Sequence, residues 1–211
     1  MTNYVLIAGA CHGGWYYDSV ASALRAEGHV VHAPTLGATG NLEEHAAEVL
    51  ALLADLDDVV LAGHSYGGMV ITTAADRVPE KIKALVYADA VVPRDGQSVW
   101  DLVHGPWRKW YVDGAAEDGR GVAPMPFFDQ RAFPHPLASL FQRARLTGAA
   151  DKVPHRWYLY AAETEDSPFT KFRDAFRDDP AWRVRDLPAT HNVLAGAEAE
   201  FLDVLREAGR V

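Results

Sequence analysis

The sequence predicts an α/β fold: a mostly parallel sheet flanked by helices and carrying one insertion. Three observations point to it. Apolar runs of strand length alternate with helical periodicity over residues 4–88 and again over 156–207, and strands that alternate with helices imply parallel pairing. Between these halves, from about residue 96 to 154, the alternation gives way to a stretch rich in aromatic residues and proline. A glycine-flanked serine, Gly63-His64-Ser65-Tyr66-Gly67-Gly68, directly follows the apolar run Val59-Val60-Leu61-Ala62, which marks a sharp strand-to-helix turn.

Each element follows from local pattern and punctuation. A first strand is expected over 4–8 and a helix over 15–27, stopped by Gly28. A second strand over 29–33 ends at Pro34, and a helix over 42–53 starts after Asn41, an N-cap with Glu43 and Glu44 in the first turn. The apolar run 59–62 is the third strand, 67–78 a helix ending before Pro79, and 84–88 the fourth strand. After the insertion come strand 156–161, helix 169–176, strand 182–187 and helix 196–207. No internal repeat or low-complexity tract interrupts this order.

The insertion carries Trp100, Trp107, Trp110, the cluster Pro124-Met125-Pro126-Phe127-Phe128 and Phe133-Pro134-His135-Pro136. Placed between two halves of a parallel sheet, it is expected to fold over the C-terminal strand ends, where open α/β sheets bind ligands. Any single tryptophan is more often a packing residue than a ligand contact, but the segment as a whole reads as a cap, with Trp107, Trp110 and Phe128 facing the pocket.

Length and composition agree with one domain, residues 1–211, bearing that cap. At 49% hydrophobic content the chain can bury one sizeable core, without a composition break. The net charge of −9 repels phosphate backbones and anionic lipid, so nucleic-acid and membrane-surface partners are disfavoured and a small-molecule substrate is expected. The chain enters a strand at Tyr4 with no basic leader and no bilayer-length apolar run, which predicts the cytoplasm. A lone cysteine, Cys11, excludes an intrachain disulfide, and no Cys/His cluster has zinc-site spacing. Neither metal nor cofactor is expected, and the chain is taken as a monomer or homodimer.

The chemistry-bearing residues are few. A serine with glycine two residues to either side, between strand and helix, fits a nucleophile elbow, which lifts the Ser65 hydroxyl above the sheet edge. The Tyr66 backbone N–H and the following helix N-terminus then point where negative charge develops. A serine needs a base, and among nine histidines His191 stands on a short loop after strand 182–187, at the same sheet edge. His64 and His12 flank the site and line the pocket or order its loops, whereas His29, His32 and His45 read as structural or exposed. The loop Gly9-Ala10-Cys11-His12-Gly13-Gly14 follows the first strand, and its N–H groups, Ala10 above all, can hold an oxyanion beside Tyr66. Gly9, Cys11 and His12 are placed in the pocket wall. A dinucleotide reading of the loop fails, since it lacks G-x-G-x-x-G and no acidic residue ends the second strand.

Taken together, Gly9 to Trp15, Gly63 to Gly68 and Leu187-Pro188-Ala189-Thr190-His191 resemble the α/β-hydrolase superfamily, and more closely small bacterial esterases related to plant methylesterases and hydroxynitrile lyases. The similarity spans nearly the whole chain, including Tyr87 to Pro93 and Pro134-His135-Pro136-Leu137. It implies a third member that orients His191, and two places compete. In most of the superfamily the acid follows the penultimate strand, where Glu163, Glu165 and Asp166 stand and Glu165 is nearest the expected position. In some lipases it follows the earlier strand, where Asp89 stands. Asp89 is preferred because a short carboxylate ending a core strand is rigidly held; Glu165 is the alternative. The histidine that usually starts the oxyanion loop is Ala8 here, which removes one support of the hole. The lyase pattern of a threonine in that loop and a lysine after the histidine is replaced by Gly9 and Asn192, so a cyanide leaving group lacks its hydroxyl and its cation.

The expected function is a cofactor-independent serine hydrolase acting on a carboxylic ester or related acyl bond of a small apolar or aromatic molecule, through an acyl-enzyme. Two alternatives stand beside it: a lyase or cyclase of natural-product tailoring that uses the same Ser–His pair as a base, separable by burst kinetics with an activated ester, and a non-catalytic ligand-binding protein on the same fold.

Overall fold

The computed structural model describes residues 1–211. Six strands form one all-parallel sheet: β1 (Asn3–Ile7), β2 (Val30–His32), β3 (Val59–His64), β4 (Ile82–Ala88), β7 (His155–Ala161) and β8 (Trp182–Leu187), ordered β2-β1-β3-β4-β7-β8. β5 (Gly121–Val122) and β6 (His135–Pro136) make a separate two-residue antiparallel ladder. The strand order reverses between β1 and β3, whose register runs Asn3↔Val59 to Ile7↔Gly63. The elbow and the Gly9 loop therefore leave the sheet side by side, at the switch point where such sheets bind ligands.

Alternation along the strands builds two cores. Val5, Ile7, Leu61, Leu85, Tyr87 and Tyr158 face one layer, with helices α2 (Leu42–Leu53) and α3 (Gly67–Arg77). Tyr4, Leu6, Val60, Ala62, Val86 and Trp157 face the other, with α1 (Asp18–Ala26) and α8 (Val193–Arg210). Period-two side chains on strands buried on both faces produce this division.

Element ends show where local chemistry decides. Asn41 caps α2 through a capping box: its side chain accepts from Glu44 N at 3.1 Å and the Glu44 carboxylate accepts from Asn41 N at 2.9 Å. The helix expected over 15–27 begins instead as a 3-10 turn, Gly14–Tyr17, before α1. The last helix starts at Val193 rather than 196 and breaks at Ala197, whose φ of −142° and ψ of 42° are non-helical. The sequence start at Gly196 thus coincides with a kink inside one longer helix.

Within residues 96–154, α4 (Val99–Leu102), α5 (Gly105–Gly114), the β5–β6 ladder and α6 (Leu137–Phe141) precede a 3-10 turn, Ala149–Lys152. Helix α7 (Thr170–Arg177) covers β7 and β8. This inserted segment is tied to the Gly9 loop: Phe133 N donates to Cys11 O at 3.1 Å and the Cys11 thiol to Val122 O at 3.4 Å. No helix is long and apolar enough to cross a membrane.

Candidate active site

Ser65 follows β3 at a left-handed backbone, φ 53°, which a non-glycine residue adopts only under constraint. The flanking glycines permit the turn. A Cβ on Gly63 would meet Gly67 C at 2.7 Å, and one on Gly67 would meet Ile7 O at 2.4 Å. The turn is closed by Ser65 N donating to Ala88 O at 3.3 Å and by Gly68 N and Val91 N donating to Ser65 O. The hydroxyl is thereby aimed at the histidine loop.

His191 Nε2 lies 3.0 Å from Ser65 Oγ, and His191 Nδ1 lies 2.6 Å from Asp89 Oδ2. Asp89 directly follows β4 at φ 42°, fully buried; its N–H donates to Leu159 O at 2.6 Å and its Oδ1 accepts from Ala161 N at 3.1 Å. Both partners belong to β7, so the carboxylate is fixed by the sheet itself. Of the two competing acids, Asp89 is the one hydrogen-bonded to His191, while Glu165 stands exposed at the cavity rim. Burial draws the His191 imidazole down to about 3, with His12 a smaller cause, which keeps the ring neutral and able to accept a proton. Burial pushes the Asp89 carboxyl up, opposed by the Ala161 N–H.

The ring of His191 is held on three sides. Phe169 lies parallel to it, centroids 4.9 Å apart, and Trp107 meets it edge-on at 4.4 Å. His64 Nε2 lies 2.8 Å from the His191 carbonyl oxygen, which can only accept, so Nε2 carries the proton and Nδ1 is a bare lone pair without a partner. Phe169 and the His64 tie were not singled out from sequence for this role. Their contacts with His191 join loops far apart in the chain, and no local pattern announces them.

The Gly9 loop supplies the second wall. His12 Nδ1 lies 2.8 Å from Ala10 O, and Gly14 N donates to Thr35 Oγ1 at 2.9 Å, which holds the loop although Ala8 stands where the histidine would be. Neither Ala10 N–H nor Tyr66 N–H donates to a protein acceptor. Tyr66 caps the start of α3, and its hydroxyl reaches His45 Nδ1 at 2.7 Å while His45 Nε2 donates to Gly37 O at 3.0 Å. His45 is thus a buried brace for the elbow.

A cavity of about 760 Å³ opens above Ser65, within the range of small-molecule sites. Its wall is a closed succession of rings. From His191 it passes to Trp107, then to Trp110 at 6.2 Å and Phe128 at 5.8 Å. From Phe128 it continues to His12 at 4.8 Å, Tyr16 at 5.3 Å and His64 at 5.0 Å, and His64 returns to His191 at 4.7 Å. Gly9, Ala10, His12, His64, Trp107, Trp110 and Phe128 all line this cavity. Cys11 does not, a correction to its expected place in the pocket wall. Its left-handed backbone, φ 66°, and its bond to Val122 O turn the thiol into the core, where burial pushes it up to about 12.

Comparison with known proteins agrees with this architecture. The model of the alpha/beta hydrolase family matches residues 4–209. The chain is 35% identical over 242 residues to a carbendazim hydrolyzing esterase of Nocardioides sp. (strain SG-4G), covering 99% of this chain and 100% of that protein. It is 37% identical over 114 residues to methylesterase 3 of Arabidopsis thaliana, 46% of this chain and 43% of that one. Among solved structures, an extracellular alpha/beta-hydrolase from a Paenibacillus species, described as sharing structural and functional homology with tobacco salicylic acid binding protein 2, superposes with a TM-score of 0.81 at 25% identity over 100% of both chains. A pyrethroid hydrolase from Sphingobium faniae JZ-2 has the same fold, with a TM-score of 0.81 at 23% identity over 100% of this chain and 98% of that one. From the match along nearly its whole length, the chain belongs to the alpha/beta hydrolase family.

Proposed function

We propose that this hydrolase cleaves a carboxylic ester or related acyl bond of a small, apolar or aromatic molecule through an acyl-enzyme on Ser65. The observation that carries the reading is the unbroken hydrogen-bonded line from Ser65 Oγ through His191 to Asp89 at the floor of an aromatic cavity. His191 Nε2 takes the hydroxyl proton as Oγ bonds to the acyl carbon. The oxyanion that forms accepts from the Ala10 and Tyr66 N–H groups, which have no other acceptor. The tetrahedral intermediate then breaks its bond to the leaving oxygen, to which His191 returns the proton, and the alcohol departs. Water repeats the sequence on the acyl-enzyme and releases the acid.

The segment 96–154 is proposed as the cap of a single domain, because Trp107, Trp110 and Phe128 all line the cavity. The names of two relatives, a carbendazim hydrolyzing esterase and a methylesterase, make carbendazim and methyl esters the first substrates to try. A cyanohydrin lyase is disfavoured by space as well as by chemistry. A Cβ at Gly9 would meet His64 Nδ1 at 2.9 Å and Ser65 Cβ at 3.0 Å, so a threonine there requires the site to shift. We place the protein in the cytoplasm on its single, buried cysteine; cell fractionation tests this.

The mechanism is tested by treating the protein with an aryl phosphonate and mapping the adduct by mass spectrometry. Ser65 is expected to be the labelled serine, and Ser65→Ala to abolish both labelling and ester turnover. Labelling elsewhere, or an active Ser65→Ala protein, overturns the reading.

A further inference from the structure

The cavity wall has an uneven charge inventory. Its charged residues are Asp129, Arg131, Glu163 and Glu165. Arg131 is the sole cation among them and is fully engaged: Nε and Nη2 each donate to an Asp129 oxygen at 3.0 Å, Nη1 reaches Asp18 at 3.3 Å, and the guanidinium lies 4.4 Å from the Trp15 ring centroid. Asp129 is correspondingly held down at about 2. Glu163 and Glu165 form no ion pair anywhere in the molecule.

These two carboxylates belong to the loop that follows β7, and this loop is fastened to the one that carries His191: Ala162 N donates to Leu187 O and Glu163 N to Ala189 O, both at 3.0 Å. They therefore stand at the mouth of the cavity whose floor is Ser65. The wall below them is the closed aromatic succession, whose ring faces carry negative quadrupole density. Its three histidines add no positive charge, since burial keeps His12, His64 and His191 below the ordinary imidazole value. Aromatic walls, unpaired carboxylates and no free cation are the surroundings that favour a positive guest.

We infer that this site selects substrates whose non-reacting part is cationic, a quaternary or protonated amine on an aromatic-sized body, over neutral molecules of the same shape. The inference rests on the esterase reading for the identity of the site but concerns only what the cavity accepts. Cation–π attraction plus two exposed carboxylates acting across a partly desolvated cavity amount to about a tenfold preference at low salt. Added salt weakens the carboxylate share.

The test compares two probes of one shape that differ in charge, phenyltrimethylammonium and tert-butylbenzene, with binding read by tryptophan fluorescence in Ser65→Ala protein at low ionic strength. Phenyltrimethylammonium is expected to bind about tenfold more tightly. The preference is expected to shrink in 0.5 M salt, on the order of a Debye length of a few ångströms, and to collapse when Glu163→Gln and Glu165→Gln are added together. Equal binding, tighter binding of tert-butylbenzene, or a preference untouched by both substitutions overturns the inference. Because Ser65→Ala protein turns nothing over, failure of ester hydrolysis in the wild type sinks the mechanism alone and leaves this measurement readable.

Discussion

His64 Nε2 donates to the backbone carbonyl of His191 at 2.8 Å, so the residue before the elbow serine holds the loop that carries the proposed base. The two rings also lie 4.7 Å apart, and Tyr16 stacks on His64 at 5.0 Å. Replacing His64 with Phe keeps the stacking and removes the donor. The His191 carbonyl still accepts from Val193 N at 3.0 Å, so the loss is that of one hydrogen bond, about 0.5–1.5 kcal/mol, and a base displaced by as little as 1 Å loses roughly 10² in rate. The expected result for His64→Phe is a lowered melting temperature with kcat down and KM little changed. A variant with wild-type kcat rejects the positioning role.

Asp89 gives a sharper split between fold and rate. Asp89→Asn preserves shape, but its amide can present N–H to His191 Nδ1 and so favour the tautomer in which Nε2 no longer accepts from Ser65. Turnover is expected to fall by up to about 10⁴-fold with substrate binding retained. Single-turnover kinetics with an activated ester, read as acylation rate against binding constant, checks this. A near-normal acylation rate moves the orienting acid away from β4.

The fold and the turn that carries Ser65 were legible because both are written locally. The period-two runs, Pro34, Pro79 and the Asn41 cap predicted strands and helices within a few residues of those found, and the glycines around Ser65 report a turn that only small neighbours permit. The acid could only be ranked. Asp89 and Glu165 both follow strands, and what separates them is the β4–β7 register that puts Leu159 and Ala161 around Asp89, a relation between strands more than 60 residues apart in sequence. Phe169 was invisible as a support of His191 for the same reason, and His64 was legible only as a residue that lines the pocket or orders its loops, not as the tie to His191. Cys11 was misplaced because the loop pattern gave its position but not its left-handed backbone.

The elbow itself predicts an inversion between stability and activity. Ser65 is held at φ 53°, where glycine carries no Cβ penalty and other residues lose about 1–2 kcal/mol. Ser65→Gly is therefore expected to be more stable than Ser65→Ala by about 1 kcal/mol, although both lose roughly 10⁴-fold or more in turnover. Urea unfolding of the two variants checks the order. Equal midpoints, or a more stable alanine variant, would mean that the elbow is not strained.

The last expectation concerns pH. Burial lowers His191 to about 3 from an ordinary value near 6.5, so the neutral base survives into mildly acidic solution. On an uncharged ester, kcat/KM is expected to hold below pH 6 and to fall only at lower pH, where an unperturbed imidazole would already have lost half its activity near 6.5. Stability moves with the opposite consequence. His12, His45, His64, His135 and His191 are all lowered by burial, so below about 6.5 the unfolded chain binds protons that the native protein refuses, and unfolding is favoured. Their contribution is present above that value and is lost as pH falls toward the native values. Asp89, raised by burial, has the reverse sign and weakens the fold as pH rises, but it is one group against these several imidazoles. Melting temperature is therefore expected to drop between pH 7 and 4.5 while the activity of the remaining folded protein persists. An activity limb at pH 6.5 with an unchanged melting temperature would show that these imidazoles are solvated and titrate normally.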